Sequence, residues 1–167
     1  MLDKVISGGQ NGADEAGLRT AKEFGIRTGG HMPKGFRTLD GNKPQFAELF
    51  DVKEHQAHNY KDRTWCNVEN SDITLRFFDT KHKGSPGEKC TLNAINRYGK
   101  PYKDIEFRLR NSVVTPEDVA TLLIADGHRI INVAGNSENT YPGIYGLTCD
   151  FLAKVFYLLG HRKQEQQ

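Results

Sequence analysis

Short apolar runs alternate along the chain with longer segments in which apolar residues recur every few positions. The short runs predict β-strands, and the longer segments predict amphipathic α-helices. Strands separated by helices indicate an α/β fold of three layers, in which helices flank both faces of a mostly parallel sheet. The predicted strands are Lys4–Ser7, Ile26–Gly30, Ile73–Phe78, Tyr102–Leu109 and Arg129–Ala134. The predicted helices are Asp14–Phe24, Tyr60–Asn70, Glu88–Tyr98, Pro116–Ala125 and Gly143–Leu159, and a short element is expected within Phe46–Val52.

Local signals refine the ends of these elements. Thr115 is expected to cap the fourth long helix, because Pro116 then occupies the first helical position and Asp118 follows three residues after the cap. The segments Pro33–Pro44 and Asp79–Gly87 are polar and contain glycine and proline. We therefore expect loops in both places.

Length and composition fit one domain of residues 1–160, followed by a polar tail, residues 161–167, that we expect to be disordered. Of the 167 residues, 37% are apolar and 26% are charged, and the formal net charge is only +2. So small a charge gives no reason to expect a nucleic-acid partner or an acidic membrane surface. No run of about eighteen apolar residues is present, so no membrane span is expected.

Cysteine and histidine usage argues against disulfides and metals. Cys66, Cys90 and Cys149 are odd in number and widely spaced, which favours buried free thiols in a reducing cytoplasm. The first residues also do not form a signal peptide, so the expected location is cytoplasmic. His55 and His58 are close in sequence, but no third ligand has a suitable spacing. A surface or packing role is therefore favoured for both, and no metal site is predicted.

The first Gly-rich loop follows the first predicted strand and opens a helix. Glycines let the backbone turn sharply and approach a ligand, and the first helical turn offers unpaired N–H groups with a partial positive charge. These features predict an anion site, and a tight turn without a ligand is the alternative for a single Gly cluster. The candidate ligand-binding residues are Ser7, Gly8, Gly9, Gln10, Asn11, Gly12 and Asp14.

This loop differs from the two common nucleotide-binding motifs. It does not contain the G-K-[ST] of a Walker A loop, so no lysine-and-magnesium grip on a triphosphate is predicted. It is also not G-x-G-x-x-G, and the second strand runs into Gly29-Gly30-His31 with no acidic residue for a ribose hydroxyl. The usual modes of ATP and NAD binding are therefore both disfavoured.

Two further loops repeat the order of strand, glycine-containing turn and helix start. In open parallel sheets, ligands bind beyond the carboxyl ends of the strands, near a switch in strand order. Three such loops predict one composite site for a phosphate-bearing or oxyanion small molecule. The second loop contributes Gly84, Ser85, Gly87 and Thr91, and the third contributes Gly135, Asn136 and Ser137.

Three basic residues are candidate partners for such an anion. Lys34 and Arg37 flank a glycine in a predicted surface loop, where solvated surface charge is the alternative. Arg63 shares a helix face with Asn67, four residues later. Arg63 could clamp a phosphate, or it could equally pair with Asp72 in a structural contact.

The loops also carry a family resemblance. The chain resembles the "putative molybdenum carrier" family, the circularly permuted YpsA-like branch of the SLOG superfamily, over roughly Lys4 to Leu159. The resemblance implies a Rossmann-like fold, a nucleotide-related or molybdenum-cofactor ligand, and a homo-oligomer, either a dimer or a tetramer. It is carried by the stretches Ser7–Asp14, Gly29–Arg37, Arg63–Asp72 and Asn132–Tyr145.

The chain departs from that family in its second loop. The family's T-G-G-T-x-x-T type of loop is matched at Gly87 and Thr91, but Pro86 and Glu88 replace a glycine and a threonine. Glu88 places a negative charge at the helix start, where it would compete with an anionic ligand. The P-G-G-x-G-T-x-x-E pattern of the LOG hydrolases in the superfamily is also absent, so their catalytic glutamate has no counterpart.

Two classes of function follow. No Ser-His-Asp or Cys-His arrangement can be placed by spacing, which favours a binding protein that acts as a carrier, a sensor or a sequestering sponge. In that function Asp14 or Asn136 would orient sugar hydroxyls. The alternative is a LOG-like hydrolase of a nucleoside phosphate or an ADP-ribose derivative, with Glu88, Asp14 or Glu138 as general acid or base.

Overall fold

The computed structural model describes residues 1–164 of the chain, and within them it has nine strands and six α-helices. The strands are β1 (Lys4–Ser7), β2 (Arg27–Met32), β3 (Arg37–Thr38), β4 (Gly41–Asn42), β5 (Val52–Glu54), β6 (Ile73–Asp79), β7 (Tyr102–Arg108), β8 (Asn111–Ser112) and β9 (Ile130–Gly135). The helices are α1 (Ala13–Glu23), α2 (Phe46–Phe50), α3 (Tyr60–Glu69), α4 (Pro86–Tyr98), α5 (Pro116–Ala125) and α6 (Ile144–Leu158).

All five long helices and all five predicted strands are present, with their ends shifted by a few residues at most. Thr115 caps α5 as predicted, since its Oγ1 accepts a hydrogen bond from the backbone N–H of Asp118 at 3.1 Å. The short element expected within Phe46–Val52 is confirmed as α2. The two predicted loops need correction. Pro33–Pro44 contains the β3–β4 hairpin, and Asp79–Gly87 begins with the last residue of β6 and ends within α4. Two-residue strands are too short to show an alternating pattern.

The main sheet has seven strands in the order β5-β2-β1-β9-β6-β7-β8, and β3 and β4 form a separate antiparallel pair. Neighbouring strands of the main sheet are parallel except for β7 and β8. The chain builds outward from β1 to β5, crosses to β6, builds outward again to β8, and then returns to place β9 between β1 and β6. The loops that follow β1, β9 and β6 therefore leave the sheet side by side.

Helices cover both faces of the sheet, which confirms the Rossmann-like three-layer fold. Helices α1, α5 and α6 pack on one face, over a core that includes the fully buried Phe77 and Phe156. Helices α3 and α4 pack against each other around Val68, and the half-buried Trp65 meets Tyr98 edge-on at 5.9 Å. Trp65 is therefore part of a core, in agreement with its sequence context.

Close packing positions α1 on the sheet. Gly17, in the middle of α1, lies directly against Val133 of β9, and a Cβ at this position would overlap the valine side chain. Because the helix lies this close, its first turn is fixed near the carboxyl ends of β1 and β9. The geometry of the loops between these elements depends on this contact.

The predicted tail is only partly within the described residues. Lys163 pairs with Glu23 at 2.9 Å, and the backbone N–H of Gln164 donates to the carbonyl of Glu23 at 2.7 Å. Residues 165–167 lie outside the described residues, so the disorder expected of the tail stays a prediction.

Cys66, Cys90 and Cys149 are unpaired thiols, as expected, but each is half-buried and not fully enclosed. In the described part of the chain, the helices are all too short or too polar to cross a membrane.

Candidate functional site

The three glycine-containing loops converge beyond the carboxyl ends of β1, β9 and β6. Together with the start of α3 they line a cavity of about 450 Å³, which we call the loop cavity. This convergence is what the composite-site prediction requires. The predicted site residues that line the cavity are Gln10, Asp14, Arg63, Ser85, Gly87, Thr91, Gly135, Asn136 and Ser137.

The first loop is held tightly by contacts within the protein. Ser7 is fully buried and donates its hydroxyl to the carbonyl of Val133 at 2.6 Å, which ties β1 to β9. Gly9 has a positive φ of 68° and lies against Met32. These two residues fix the path of the first loop, but they do not line the loop cavity.

Arg63 of α3 reaches across to the first loop. Its guanidinium lies over Gly8, where a Cβ would overlap it, and its Nη1 is 3.4 Å from Oδ2 of Asp14. Only 11% of the Arg63 side chain and 5% of the Asp14 side chain are exposed. Nε of Arg63 is buried without a hydrogen-bond partner among the described residues. The guanidinium therefore faces the cavity with donor capacity that one long ion pair does not use.

Asp14 occupies the start of α1 in the way a bound anion would. Its carboxylate accepts a hydrogen bond from the backbone N–H of Gln10 at 3.4 Å, in addition to its contact with Arg63. Burial raises the pKa of Asp14, and Arg63 and the N–H groups of Gln10, Gly135 and Gly8 offset part of the rise. The positive end of α1 is thus already matched by a carboxylate of the chain itself.

Glu88 closes the start of α4 in the same manner. Its carboxylate accepts hydrogen bonds from the backbone N–H groups of Gly84 and Ser85, while Ser85 Oγ accepts one from the Glu88 N–H, which completes a capping box. Burial raises the pKa of Glu88, and the Gly84 N–H and the charge of Arg76 offset this in part. The Glu88 carboxylate thus occupies the helix start. The competition with a ligand anion that the sequence suggests stays a prediction.

A smaller void adjoins the loop cavity behind Gly87 and Thr91. Arg76 of β6 binds Asp104 with two hydrogen bonds of 2.7 Å each, and its remaining Nη1 is buried. Neither this Nη1 nor Oε1 of Glu88 has a hydrogen-bond partner among the described residues. The void is about 10 Å³, which is no larger than one water molecule requires. The void therefore adds buried polar groups beside the loop cavity, but it adds almost no volume for a ligand.

The third loop is fixed to its neighbours by the backbone. Oδ1 of Asn136 accepts a hydrogen bond from the Asp79 N–H at 2.9 Å, and its carbonyl accepts one from the Ala13 N–H at 3.1 Å. Asn136 of the third loop therefore links the start of the second loop, at Asp79, to the end of the first loop, at Ala13. Ser137 and Thr140 pair their hydroxyls at 3.0 Å on the wall of the loop cavity.

Glu138 closes the start of α6. Its carboxylate accepts hydrogen bonds from the backbone N–H groups of Gly143 and Tyr145, the second at 3.0 Å. Asp14, Glu88 and Glu138, the three proposed acids or bases, are thus all committed to helix starts. None of them is placed as a free base beside an open position in the cavity.

Asn11 and Gly12 face away from the loop cavity. They lie in a second, wider groove of about 670 Å³ together with Glu15, Asp40 and Lys43. The amide nitrogen of Asn11 donates to Asp40 and to Asn139, and its oxygen accepts from the Glu138 N–H at 3.2 Å. Lys43 pairs with Glu15 at 2.9 Å. The polar groups of this groove therefore satisfy one another.

Two of the three predicted cations lie outside the loop cavity. The backbone N–H of Lys34 donates a hydrogen bond to the carbonyl of Ala57, and the Arg37 guanidinium lies 4.8 Å from the ring centre of Tyr60. Neither residue lines the cavity.

The open alternative that paired Arg63 with Asp72 is wrong. Asp72 accepts hydrogen bonds from the backbone N–H groups of Arg129 and Ile130, each at 2.8 Å, while Arg63 pairs with Asp14.

Several lining residues were not identified from the sequence: Leu39, Tyr60, Thr64, Pro86, Cys90, Ala134 and Thr140. Tyr60 could have been found, because it lies three residues before Arg63 and so shares its helix face. Arg76 had a signal as well, since an arginine inside the apolar run Ile73–Phe78 needs a buried partner.

No group of three or more His, Cys, Asp and Glu side chains within residues 1–164 is arranged to hold a metal ion. His55 accepts a hydrogen bond from the Ala57 N–H at 3.0 Å, which is a local turn contact. The donors of the loop cavity are hydroxyls, amides and one guanidinium, and these suit an oxyanion or the polar edge of a heterocycle.

Comparison with known proteins agrees with this architecture. The model of the "Circularly permutated YpsA SLOG family" matches residues 5–156, a range that contains all three loops. A crystal structure of a "putative molybdenum carrier protein" from Syntrophus aciditrophicus SB, at 1.45 Å resolution, is similar to the chain with a TM-score of 0.79 and 34% sequence identity. The similarity covers 93% of this chain and 94% of that chain. No curated protein matches the chain.

Proposed function

This chain belongs to the circularly permutated YpsA SLOG family, and on that premise we propose that it is a small-ligand-binding protein whose ligand is nucleotide-derived or of the molybdenum-cofactor type. One observation carries the proposal: three glycine-containing loops from neighbouring strands line a single cavity of about 450 Å³. Cavities of roughly 300–1,000 Å³ are typical of small-molecule sites, and the carboxyl edge of a parallel sheet is where such sites form.

We propose a place in the lining for each part of such a ligand. A phosphate or another oxyanion binds beside Arg63, whose guanidinium has unused donor capacity and lies against the backbone of Gly8. Hydroxyls of Ser137 and Thr140 receive the polar groups of the ligand, and Tyr60 supports its less polar part. In this arrangement the hydrogen bonds of Asn136 hold the loops in their relative positions.

A molybdenum-cofactor-type ligand fits this donor set through its organic part. The phosphate of a pterin would bind to Arg63, and the amide edge of the ring would meet the hydroxyls of Thr64 and Ser137. Free molybdate would use Arg63 alone. The similar protein from Syntrophus aciditrophicus SB is named as a putative molybdenum carrier, which is why these ligands belong in the screen.

The proposal is tested by calorimetric titration of the chain with nucleotides, cyclic nucleotides, molybdate and molybdopterin. Arg63→Ala should weaken binding by roughly 10- to 100-fold, because a hydrogen bond to a charged group contributes about 1.5–3 kcal/mol. Arg37→Ala is the matched control, since Arg37 is on the same side of the molecule but outside the lining. Folded protein that binds none of these ligands would contradict the proposal.

A carrier, a sensor and a sequestering sponge need the same site, and they differ in kinetics. A sponge or carrier releases its ligand slowly, and the ligand is recovered chemically unchanged, whereas a sensor exchanges it rapidly. Stopped-flow dissociation separates a sensor from a carrier or a sponge, and mass analysis of the recovered ligand separates all three from the hydrolase alternative.

We also propose a cytoplasmic homo-oligomer, either a dimer or a tetramer. Helices α5 and α6 carry exposed apolar side chains, including Ile124, Tyr157 and Leu158, which give the chain an apolar surface for self-association. Sedimentation equilibrium measures the oligomeric state, and a monomer at all concentrations would rule this part out.

A further inference from the structure

The charge of the loop cavity is nearly balanced before any ligand enters. Among the described residues, Arg63 is the one lysine or arginine on the lining, and its charge is opposed by Asp14 at 3.4 Å. Lys34 and Arg37 are outside the lining, and Arg76 is bound to Asp104 by two hydrogen bonds. The cavity can therefore offer one partly compensated positive charge to a ligand.

The helix starts around the cavity offer a ligand little additional positive charge. Loop N–H groups just before α1 and α4 already donate to carboxylates of the chain itself. Gln10 donates to Asp14, and Gly84 and Ser85 donate to Glu88. Both carboxylates are buried, with 4% of Asp14 and 6% of Glu88 exposed. A second phosphate placed at either helix start would have to displace a carboxylate or lie beside it, and both cost free energy in a poorly solvated site.

We propose that the loop cavity selects ligands with a single anionic group, and that Asp14 is the residue that sets this limit. This inference rests on the proposed ligand-binding function and narrows its ligand class. Asp14 accepts a hydroxyl or N–H group of the ligand and repels a second phosphate. Nucleoside monophosphates and pterin monophosphates satisfy both requirements, whereas nucleoside diphosphates and triphosphates do not.

The hydroxyl groups of the wall agree with this ligand class. Thr64, Ser85, Thr91, Ser137 and Thr140 all line the cavity, and none of them carries a charge. Such a wall recognises sugar hydroxyls or the edge of a heterocycle, and it gives no compensation for additional negative charge. A polyphosphate site would need further basic residues at the positions these five occupy.

The test is a calorimetric titration of the wild-type chain at constant ionic strength with two series of probes: adenosine and guanosine carrying zero, one, two or three phosphates. In at least one series, the monophosphate should bind at least tenfold tighter than the diphosphate and the triphosphate. Affinity that rises with each added phosphate would overturn this inference and leave the proposed binding function intact. If no probe binds the folded protein, the inference fails as well.

The role of Asp14 is tested with Asp14→Asn, which keeps the shape of the side chain and removes its charge. The variant should bind the diphosphate and triphosphate at least tenfold tighter than the wild type does. Asp118→Asn is the matched control, because Asp118 also accepts a backbone N–H bond at a helix start but lies on the exposed start of α5. Equal diphosphate affinities for wild type and Asp14→Asn would overturn the role of Asp14, and the wild-type series decides the charge limit even if the variant does not fold.

Discussion

Arg63 and Gly8 form a contact that depends on the absence of a side chain. The guanidinium lies over the Gly8 backbone, in the volume that a Cβ would occupy. We predict that Gly8→Ala displaces Arg63 and lowers the free energy of unfolding by about 1–3 kcal/mol, the usual cost of overpacking. Urea denaturation measures this change.

Gly146→Ala is the matched control for Gly8→Ala. Gly146 lies inside α6, and a Cβ there meets no other atom within 4 Å. This substitution should stabilise the protein by up to about 1 kcal/mol through helix propensity. If Gly8→Ala is as stable as the wild type, the position of Arg63 does not depend on the absence of a side chain at residue 8.

Asp14 should make stability depend on pH in the direction opposite to an ordinary salt-bridged aspartate. Burial raises the folded-state pKa of Asp14 above its ordinary value of 3.8, so between the two pKa values the folded state binds more protons than the unfolded state. The contribution of Asp14 to stability therefore falls as the pH rises from 3.8 through the folded-state pKa. Urea denaturation of wild type and Asp14→Asn across about pH 3 to pH 7 isolates this slope as their difference.

Asp118 provides a control of opposite sign. Its pKa is lowered by the hydrogen bond from the Thr115 backbone, so its contribution is present above 3.8 and is lost as the pH falls through the folded-state pKa. The difference between wild type and Asp118→Asn should therefore grow with rising pH. A difference curve for Asp14→Asn with that same sign would contradict the conclusion that burial raises the pKa of Asp14.

At the residue scale, the sequence predicted site residues best where a regular element fixes the direction of the side chain. Arg63 lies on α3, so helical spacing determines which way it points, and the same spacing would have identified Tyr60. Lys34 begins a single 3-10 turn and Arg37 begins a two-residue strand, and their path is set by the β3–β4 hairpin and by contacts with α3. Their exclusion from the cavity could not be predicted from local pattern.

The position of α3 depends on a side chain that bridges two elements. Asn67 is 2% exposed, accepts a hydrogen bond from the His31 N–H at 2.8 Å and donates to the His31 carbonyl at 3.1 Å. Asn67→Ala leaves both backbone groups of His31 unpaired, and we predict a loss of about 1–3 kcal/mol in the free energy of unfolding. It should also weaken ligand binding, because Arg63 lies one turn earlier on the same helix.

Asn70→Ala is the control, since Asn70 is exposed at the end of α3 and its amide donates to the carbonyl and the Sγ of Cys66 within the same helix. Chemical denaturation and the calorimetric affinity measured on the same samples give the two readouts. A stable Asn67→Ala variant with normal affinity would show that α3 is held by its packing on α4 alone.

At the scale of elements, the sequence predicted the capped start of a helix but not the pairing of the short strands. The α5 start was located from Thr115, Pro116 and Asp118, because a capping box requires those residue types at fixed spacing. The strands β3, β4, β5 and β8 have two or three residues each, and their formation depends on a partner supplied by the rest of the fold. Periodicity carries no information about such short elements.

At the scale of the molecule, the position of β9 creates the site. The last strand enters between β1 and β6, so three loops that are far apart in sequence meet at one edge. Sequence spacing suggested three equivalent loops, but the strand order that brings them together is a property of the whole sheet. The resemblance to a circularly permuted family implied the same Rossmann-like fold, because it rests on loop motifs and does not require the strand pairing to be known.

This topology predicts a gradient of local stability that native-state hydrogen exchange can measure. Amides of β1, β9 and β6 should exchange most slowly, because these strands are central in the sheet and lie between two helical layers. Amides of β8 and of the β3–β4 pair should exchange fastest among the strands, since they lie at an edge or outside the main sheet. A bound ligand should slow exchange in the loops after β1, β6 and β9 and leave β8 unchanged. Protection that appeared at β8, or was absent from the loops, would place the ligand somewhere other than the loop cavity.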